Sequence, residues 1–161
     1  MLVPITKAQK AFVFLGAANA GKSTILSVVQ DILLGHDNVA NIPWQDPGER
    51  FNKAELFGRL ANIFADLPSK AIEDNGMFKS LAGEDYISAE RKNRDPFSFK
   101  FYARFLFSCN EMPRNYGDRS EGFYRRLIIT PFTKPIPESK RDPNLLGTGG
   151  TQEADQSQLP L

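Results

Sequence analysis

One cysteine, one histidine and one tryptophan occur in 161 residues. A single cysteine, Cys109, rules out an intrachain disulfide, and with His36 alone beside it no four-ligand zinc site can be assembled from those residue types. A chain so poor in cysteine is expected in a reducing compartment, the cytoplasm. No apolar run approaches the roughly 20 residues that a membrane-spanning helix needs. The opening MLVPITKAQK has no basic segment followed by an apolar stretch, so no export signal and no membrane partner are expected. Net charge is also scarce, at +1. The total hides a division, however: residues 27–90 carry five Lys/Arg against eleven Asp/Glu, and residues 91–126 carry nine against four. A late basic cluster is compatible with a polyanion partner, and equally with a solvated face.

What is present is one strong motif. GAANAGKS matches G-x-x-x-x-G-K-[ST] with Gly16, Gly21, Lys22 and Ser23. Before it, AFVFL (11–15) has the β-branched and aromatic content of a buried strand; after it, Ile25, Leu26, Val28, Val29, Ile32 and Leu33 recur at helical spacing up to a stop at Gly35. Strand, glycine loop and helix together form a phosphate-binding device. Small residues let successive backbone N–H groups of Gly16, Ala17, Ala18, Asn19, Ala20, Gly21, Lys22, Ser23 and Thr24 face the phosphates. The lysine reaches the β and γ oxygens and the serine hydroxyl holds Mg²⁺. A nucleotide and Mg²⁺ are therefore the expected ligands, the loop itself leaving open ATP or another nucleotide.

Such a site also needs an acid at the end of a neighbouring buried strand. ANIFAD ends on Asp66 just before the breaker Pro68, which makes Asp66 the second Mg²⁺ ligand, the other reading being a turn or helix-capping aspartate. KAELFGRL before it reads as a helix. YISAE and FSFKF alternate in polarity around the charged turn RKNRDP, giving a β-hairpin over 86–101 with Arg91, Lys92 and Arg94 at its tip. Phe97, Phe99 and Phe101, like Trp44 and Met112, read as packing residues. ARFLFS is a third buried strand and LIIT, preceded by Arg125 and Arg126, a fourth. Residues 133–161 show no sustained periodicity, and GTGGTQEADQSQLPL has the composition of a disordered tail.

The order LFGRLANIFADLPS, FKSLAGEDYISAERKNRDPFSFKF, ARFLFSCNEMPR, DRSEGFYRRLIITPF over roughly residues 11–132 resembles the superfamily 3 helicase domain of phage- and plasmid-associated DNA primases, relatives of the poxvirus-type NTPases. That resemblance implies an α/β P-loop NTPase fold of the additional-strand, AAA+-like type: a three-layer domain with a central, mostly parallel sheet and a basic β-hairpin. It makes Lys22, Asp66, Asn110 and Arg126 the catalytic set. Asn110 orients the attacking water, against a local reading as a turn residue, and Arg126 is the finger that reaches a neighbouring subunit's nucleotide, with Arg125 as runner-up. It also implies single-stranded DNA gripped by Arg91, Lys92 and Arg94, self-association into a ring, expected to be a hexamer, and a companion primase domain. Glu84 departs from the small residues common at its position, and relative to the family the motor is expected to be truncated at both ends.

The resulting expectation is an ATPase core over 1–132 followed by an irregular or disordered tail over 133–161. The core would act as the motor of a replicative DNA helicase in the cytoplasm of a cell, or of a host cell if virus- or plasmid-encoded. Two other classes stay open at the level of sequence. A small P-loop phosphotransferase such as a nucleotide kinase shares the loop, and a truncated, non-catalytic nucleotide-binding remnant fits the ends.

Overall fold

The computed structural model describes residues 9–45, 47–49, 51–68, 75–83, 85–114, 120–142 and 145. Five parallel strands form the central sheet: β1 (Ala11–Gly16), β2 (Val39–Ala40), β3 (Ala61–Phe64), β6 (Arg104–Cys109) and β7 (Leu127–Phe132), in the order β2-β3-β6-β1-β7. β1, which leads into the glycine loop, is therefore not beside β3, which leads to Asp66. β6 is inserted between them, with Ala11 opposite Phe105 on one side and Ile63 opposite Leu106 on the other. This is the additional-strand α/β arrangement. β4 (Tyr86–Ala89) and β5 (Phe97–Lys100) pair antiparallel as a separate two-stranded sheet, Tyr86 opposite Lys100 and Ala89 opposite Phe97.

Both sheet faces are covered over β1, β3 and β6, as their near-continuous apolar runs require, while on the edge strand β7 Ile128 and Ile129 stay 37% and 46% exposed. Because side chains alternate along a strand, Ala11 and Val13 of β1 join Phe105, Phe107 and Cys109 of β6 on one face, with α3 (Gly76–Ala82) and Trp44 packed over them. Trp44 is fully buried, stacked on Phe107 and Phe123 and tilted against Phe78. The opposite face receives Leu26 of α1 (Lys22–Ser27) against Ala61 and Ile63, with Phe14 and Leu106 beside them. Asn62, also buried, has its amide donate to the Ile42 carbonyl and accept from the Ile42 N–H, both at 2.9 Å, so a side chain continues the pairing where β2 stops. Pro131 lies in β7, at the sheet edge, where a missing N–H is tolerated.

Two helices differ from expectation. α1 keeps α-helical spacing only to Ser27 and continues as a wider π-type turn over Val28–Leu34. Hydrogen bonds of i→i+5 type break the 3.6-residue period. Leu26 is buried while Ile32 and Leu33 are 63% and 68% exposed. The helix read over KAELFGRL is a single turn, α2 (Asn52–Glu55), because Gly58 enters the left-handed region at φ +78°. Among the described residues no helix is long and apolar enough to cross a membrane. Residues 133–142 are irregular apart from a 3₁₀ turn over Glu138–Lys140. The expected disordered stretch 146–161, and Glu84, lie outside the described residues.

Candidate nucleotide-binding site

The loop leaves the carboxyl end of β1, where ligands of parallel sheets bind. Gly16 adopts φ +147°, and a Cβ there would stand 2.1 Å from the Phe132 carbonyl oxygen. Only glycine lets the loop pass this close to β7. The Ala17 N–H then donates to that same oxygen at 3.0 Å, fixing the loop's first turn. Asn19 at φ +58° and Gly21 at φ +88° supply two more left-handed positions, which glycine and asparagine tolerate best. Ala18, Asn19 and Ser23 face solvent, while Ala20 and Thr24 are half-buried.

Lys22 begins α1 and is 6% exposed. Its ammonium donates to the carbonyls of Gly16 and Ala17, both at 2.7 Å, and to Asn110 Oδ1 at 2.9 Å. All three ammonium donors are thus used. The third bond brings the loop lysine together with the residue at the tip of the inserted strand β6, 88 positions away.

Asp66 stands just past β3 in the left-handed region, φ +59°, and is exposed. Its N–H donates to Ser108 Oγ at 3.0 Å, and the next N–H, Leu67, donates to the Ser108 carbonyl at 2.7 Å. Ser108 is 1% exposed, and it ties the acid to β6 two residues before Asn110. Sequence reasoning passed over Ser108, although a lone hydroxyl inside FLFSCN is a signal, since a buried polar group must find a partner. Between Ser108 and Asn110 lies Cys109. Burial pushes its thiol up to about 11, the Lys22 charge lowering it and the Asp66 charge raising it further. Lys22 and Asp66 therefore both act within electrostatic reach of one buried atom. Lys22, Asp66 and Asn110 converge at the carboxyl ends of three adjacent strands.

The arginine pair and the hairpin lie elsewhere. Arg126 immediately precedes β7, its carbonyl accepting the Ala11 N–H at 2.7 Å. Phe132, which touches the loop, is six residues further along the strand, roughly 20 Å at about 3.3 Å per residue. Arg126 Nη1 donates to the Gly122 carbonyl of α4 (Glu121–Tyr124), and its buried Nε has no hydrogen-bond partner among the described residues. Burial lowers its pKa from the usual arginine value, the neighbouring Arg125 lowers it further and Asp85 opposes both. Arg125 is exposed, and its carbonyl accepts from Lys10 Nζ.

At the hairpin tip Arg91, Lys92 and Arg94 are all exposed, the turn closed by the Arg94 N–H on the Arg91 carbonyl at 3.1 Å and by Asn93 at φ +59°. The Arg91 guanidinium lies 5.3 Å from the Phe97 ring centre and 5.9 Å from that of Phe57. Phe99 and Phe101 are buried in the core and Phe97 packs against it. Met112 packs there too.

The profile of DUF5906, described as a family of unknown function, matches residues 14–126. Among solved structures, an apo structure of the NrS-1 C-terminal region (305–718) superposes with a TM-score of 0.64 at 18% identity, covering 86% of this chain and 32% of that one. A JCV helicase structure superposes with a TM-score of 0.57 at 19% identity, covering 81% and 37%. The chain thus spans about a third of the length of these structures and shares their fold.

Proposed function

Since the chain belongs to DUF5906, a family without an assigned function, its activity has to come from the site, and we propose that it is the ATPase core of a superfamily 3-type DNA helicase. ATP is hydrolysed at boundaries between copies of the chain, and basic hairpins move along single-stranded DNA. The observation that carries the reading is the bond from Lys22 Nζ to Asn110 Oδ1. It couples the phosphate-facing cation to a polar tip on the strand inserted between the loop strand and the acid strand, where an attacking water has to be oriented.

The donor set suits Mg²⁺. A serine hydroxyl (Ser23) and a carboxylate (Asp66) are hard oxygen ligands, and Mg²⁺ is commonly held by one or two such protein groups with phosphate oxygens and waters completing its shell. When bound, the ion neutralises charge on the β and γ phosphates. Lys22 exchanges at least part of its present bonding to Gly16, Ala17 and Asn110 for phosphate oxygens, which frees Asn110 Oδ1 for a water. The roughly 20 Å between the loop and Arg126 supports a finger acting on a neighbour's nucleotide, because Arg126 lies too far along β7 to serve its own loop. Arginine suits the task, being permanently charged and planar.

Sizing the purified chain with and without ATP and single-stranded DNA, together with ATP turnover, tests the reading. The expected result is assembly beyond a monomer and DNA-stimulated hydrolysis. Nucleoside-dependent ADP formation without DNA stimulation would replace it with a phosphotransferase. Binding with no turnover in a folded chain would replace it with a non-catalytic remnant.

A further inference from the structure

The helix after the glycine loop carries more apolar residues than one face can bury: Val28, Val29, Ile32, Leu33 and Leu34 crowd its second half. The register decides which of them reach the sheet. Counted from the buried Leu26, two α-helical turns of about 3.6 residues each bring position 33 back to the same face. The turns over Val28–Leu34 are wider, closing i→i+5, and the place falls to position 34 instead. Leu34 and Val29 accordingly pack against Leu26, Ala61 and Ile63, while Ile32 and Leu33 stand in solvent. The far end of the segment is held from outside. Gly35 leaves it at φ +77°, and the Asn38 side-chain amide donates to the Leu34 carbonyl at 2.8 Å. The His36 ring reaches back to two residues of the wide turns, its Nδ1 3.0 Å from Gln30 Nε2 and its Nε2 3.0 Å from Asp31 Oδ1. A neutral imidazole serves both, accepting at Nδ1 and donating from Nε2. The ring stands on a fixed base: in the 3₁₀ turn His36–Asn38 the Asn38 carbonyl accepts the Leu60 N–H at 2.7 Å, and the Asp37 carbonyl accepts from Arg59 Nη1.

We propose that Val28–Leu34 is a register switch, a device that needs no part of the nucleotide reading above. In the register present here, held by His36, Leu34 lies on the sheet and Leu33 in solvent. In the other, α-helical register Leu33 takes the same slot, Leu34 turns outward and the His36 contacts to Gln30 and Asp31 are given up. Three observations converge on it. A π-helix of 7 residues is unusual, since such turns occur mostly as single-turn insertions and favour functional positions. Two adjacent leucines fill the buried slot equally well in either register, so packing against Leu26, Ala61 and Ile63 does not choose between them. The groups that do choose are exposed, the His36 and Asp31 side chains being 73% and 43% accessible. Contacts of that kind contribute little each, enough to bias two closely matched registers and too little to hold a badly packed one. Gly35, at the end of the segment with a positive φ, is the hinge that absorbs the change.

A double-mutant cycle on the full chain tests the switch, with Leu33→Gln and Leu34→Gln made singly and together and the melting temperature measured for each. Leu33→Gln alone, at an exposed position, should change it by about a degree or less. In the Leu34→Gln background Leu33 fills the slot, so the same Leu33→Gln change should there lower it by about 4 °C or more, and a double variant that fails to fold where both singles fold has the same meaning. Equal effects of Leu33→Gln in the two backgrounds fix the register and overturn the proposal. Should Leu34→Gln itself not fold, Leu34→Ala takes its place, with a smaller difference expected and none overturning the switch. Thiol labelling in a Cys109→Ala chain reads the exchange directly. A cysteine placed by Leu33→Cys should label fast, and about tenfold more slowly once Leu34→Gln is added; an unaltered rate overturns the exchange. A cysteine placed by Leu34→Cys should label about twofold to fivefold faster when His36→Ala removes the bias, and an unaltered rate overturns the part given to His36.

Discussion

The loop end of the sheet and the hairpin are built on opposite plans. At the loop end Gly16 is fixed against Phe132, Lys22 on two carbonyls and Asn110, and the backbone N–H of Asp66 on Ser108, while Ser23 and Asp66 themselves are exposed. At the hairpin the charges of Arg91, Lys92 and Arg94 stand in solvent on a two-stranded sheet, with ring contacts to Phe57 and Phe97 for Arg91. The contrast fits what each would handle in the proposed function. Phosphoryl transfer depends on groups fixed in position before the reaction, in a site shielded from water. Holding a polyanion without reading its sequence needs only charge, which works through counterion release and survives local motion.

Substitution of Lys22 should have the largest effect. Lys22→Ala removes the cation held on the Gly16 and Ala17 carbonyls of the loop, and nucleotide binding and turnover should both be lost with the fold intact; isothermal titration and an ATPase assay check this. Equal affinity and turnover in the variant would sink the site. Arg126→Ala should come next, lowering turnover by about a thousandfold or more while sparing nucleotide binding, since the group acts from outside the loop. Mixing it with Lys22→Ala chains should restore part of the activity at hybrid boundaries, and failure at every mixing ratio counts against action in trans.

At the hairpin the expected change is graded. Replacing Arg91, Lys92 and Arg94 together with alanine should weaken single-stranded DNA binding and reduce the slope of log affinity against log salt by about 2, from roughly 0.7 per phosphate neutralised on single strands. An unchanged slope would place bound DNA on another surface. The nucleotide affinity of this variant should equal that of the wild type, which would show the two regions to be separable.

The two plans also decide what could be read in the sequence. The strand, glycine loop and helix were legible from small residues at fixed spacing between two apolar patterns, and the position of Asp66 at the end of β3 because an acid ended an apolar run before a breaker. The hairpin was legible from period-2 alternation on either side of a charged turn. What escaped were relations between distant segments. Ser108 gains its role only because β6 is inserted beside β3, and Asn62 only because the chain at Ile42 runs alongside. Ile136 packs on the loop through one backbone bond and one methyl group, so composition could not distinguish its segment from a solvated one. Local propensity overstated α2, since a single left-handed glycine outweighed the helical pattern around it.

The smallest effect concerns Cys109, which sits between Ser108 and Asn110 and so reports on how closed the loop end is. Its thiol is 1% exposed and held protonated up to about pH 11. It should therefore react with a disulfide reagent at pH 8 far more slowly in the folded chain than in denaturant, because the thiolate is the nucleophile. Stability should follow the same linkage. In the unfolded chain the thiol ionises near its ordinary 9.0, while in the fold it keeps its proton to about 11. The favourable contribution is complete below pH 9 and is lost as pH rises through the interval between the two values. Lysines and tyrosines titrate in the same range, so the quantity to measure is the melting temperature of the wild type relative to Cys109→Ala. That difference should shift against the wild type between about pH 9 and pH 11, and a constant difference together with rapid native labelling would show that the loop end is open to water.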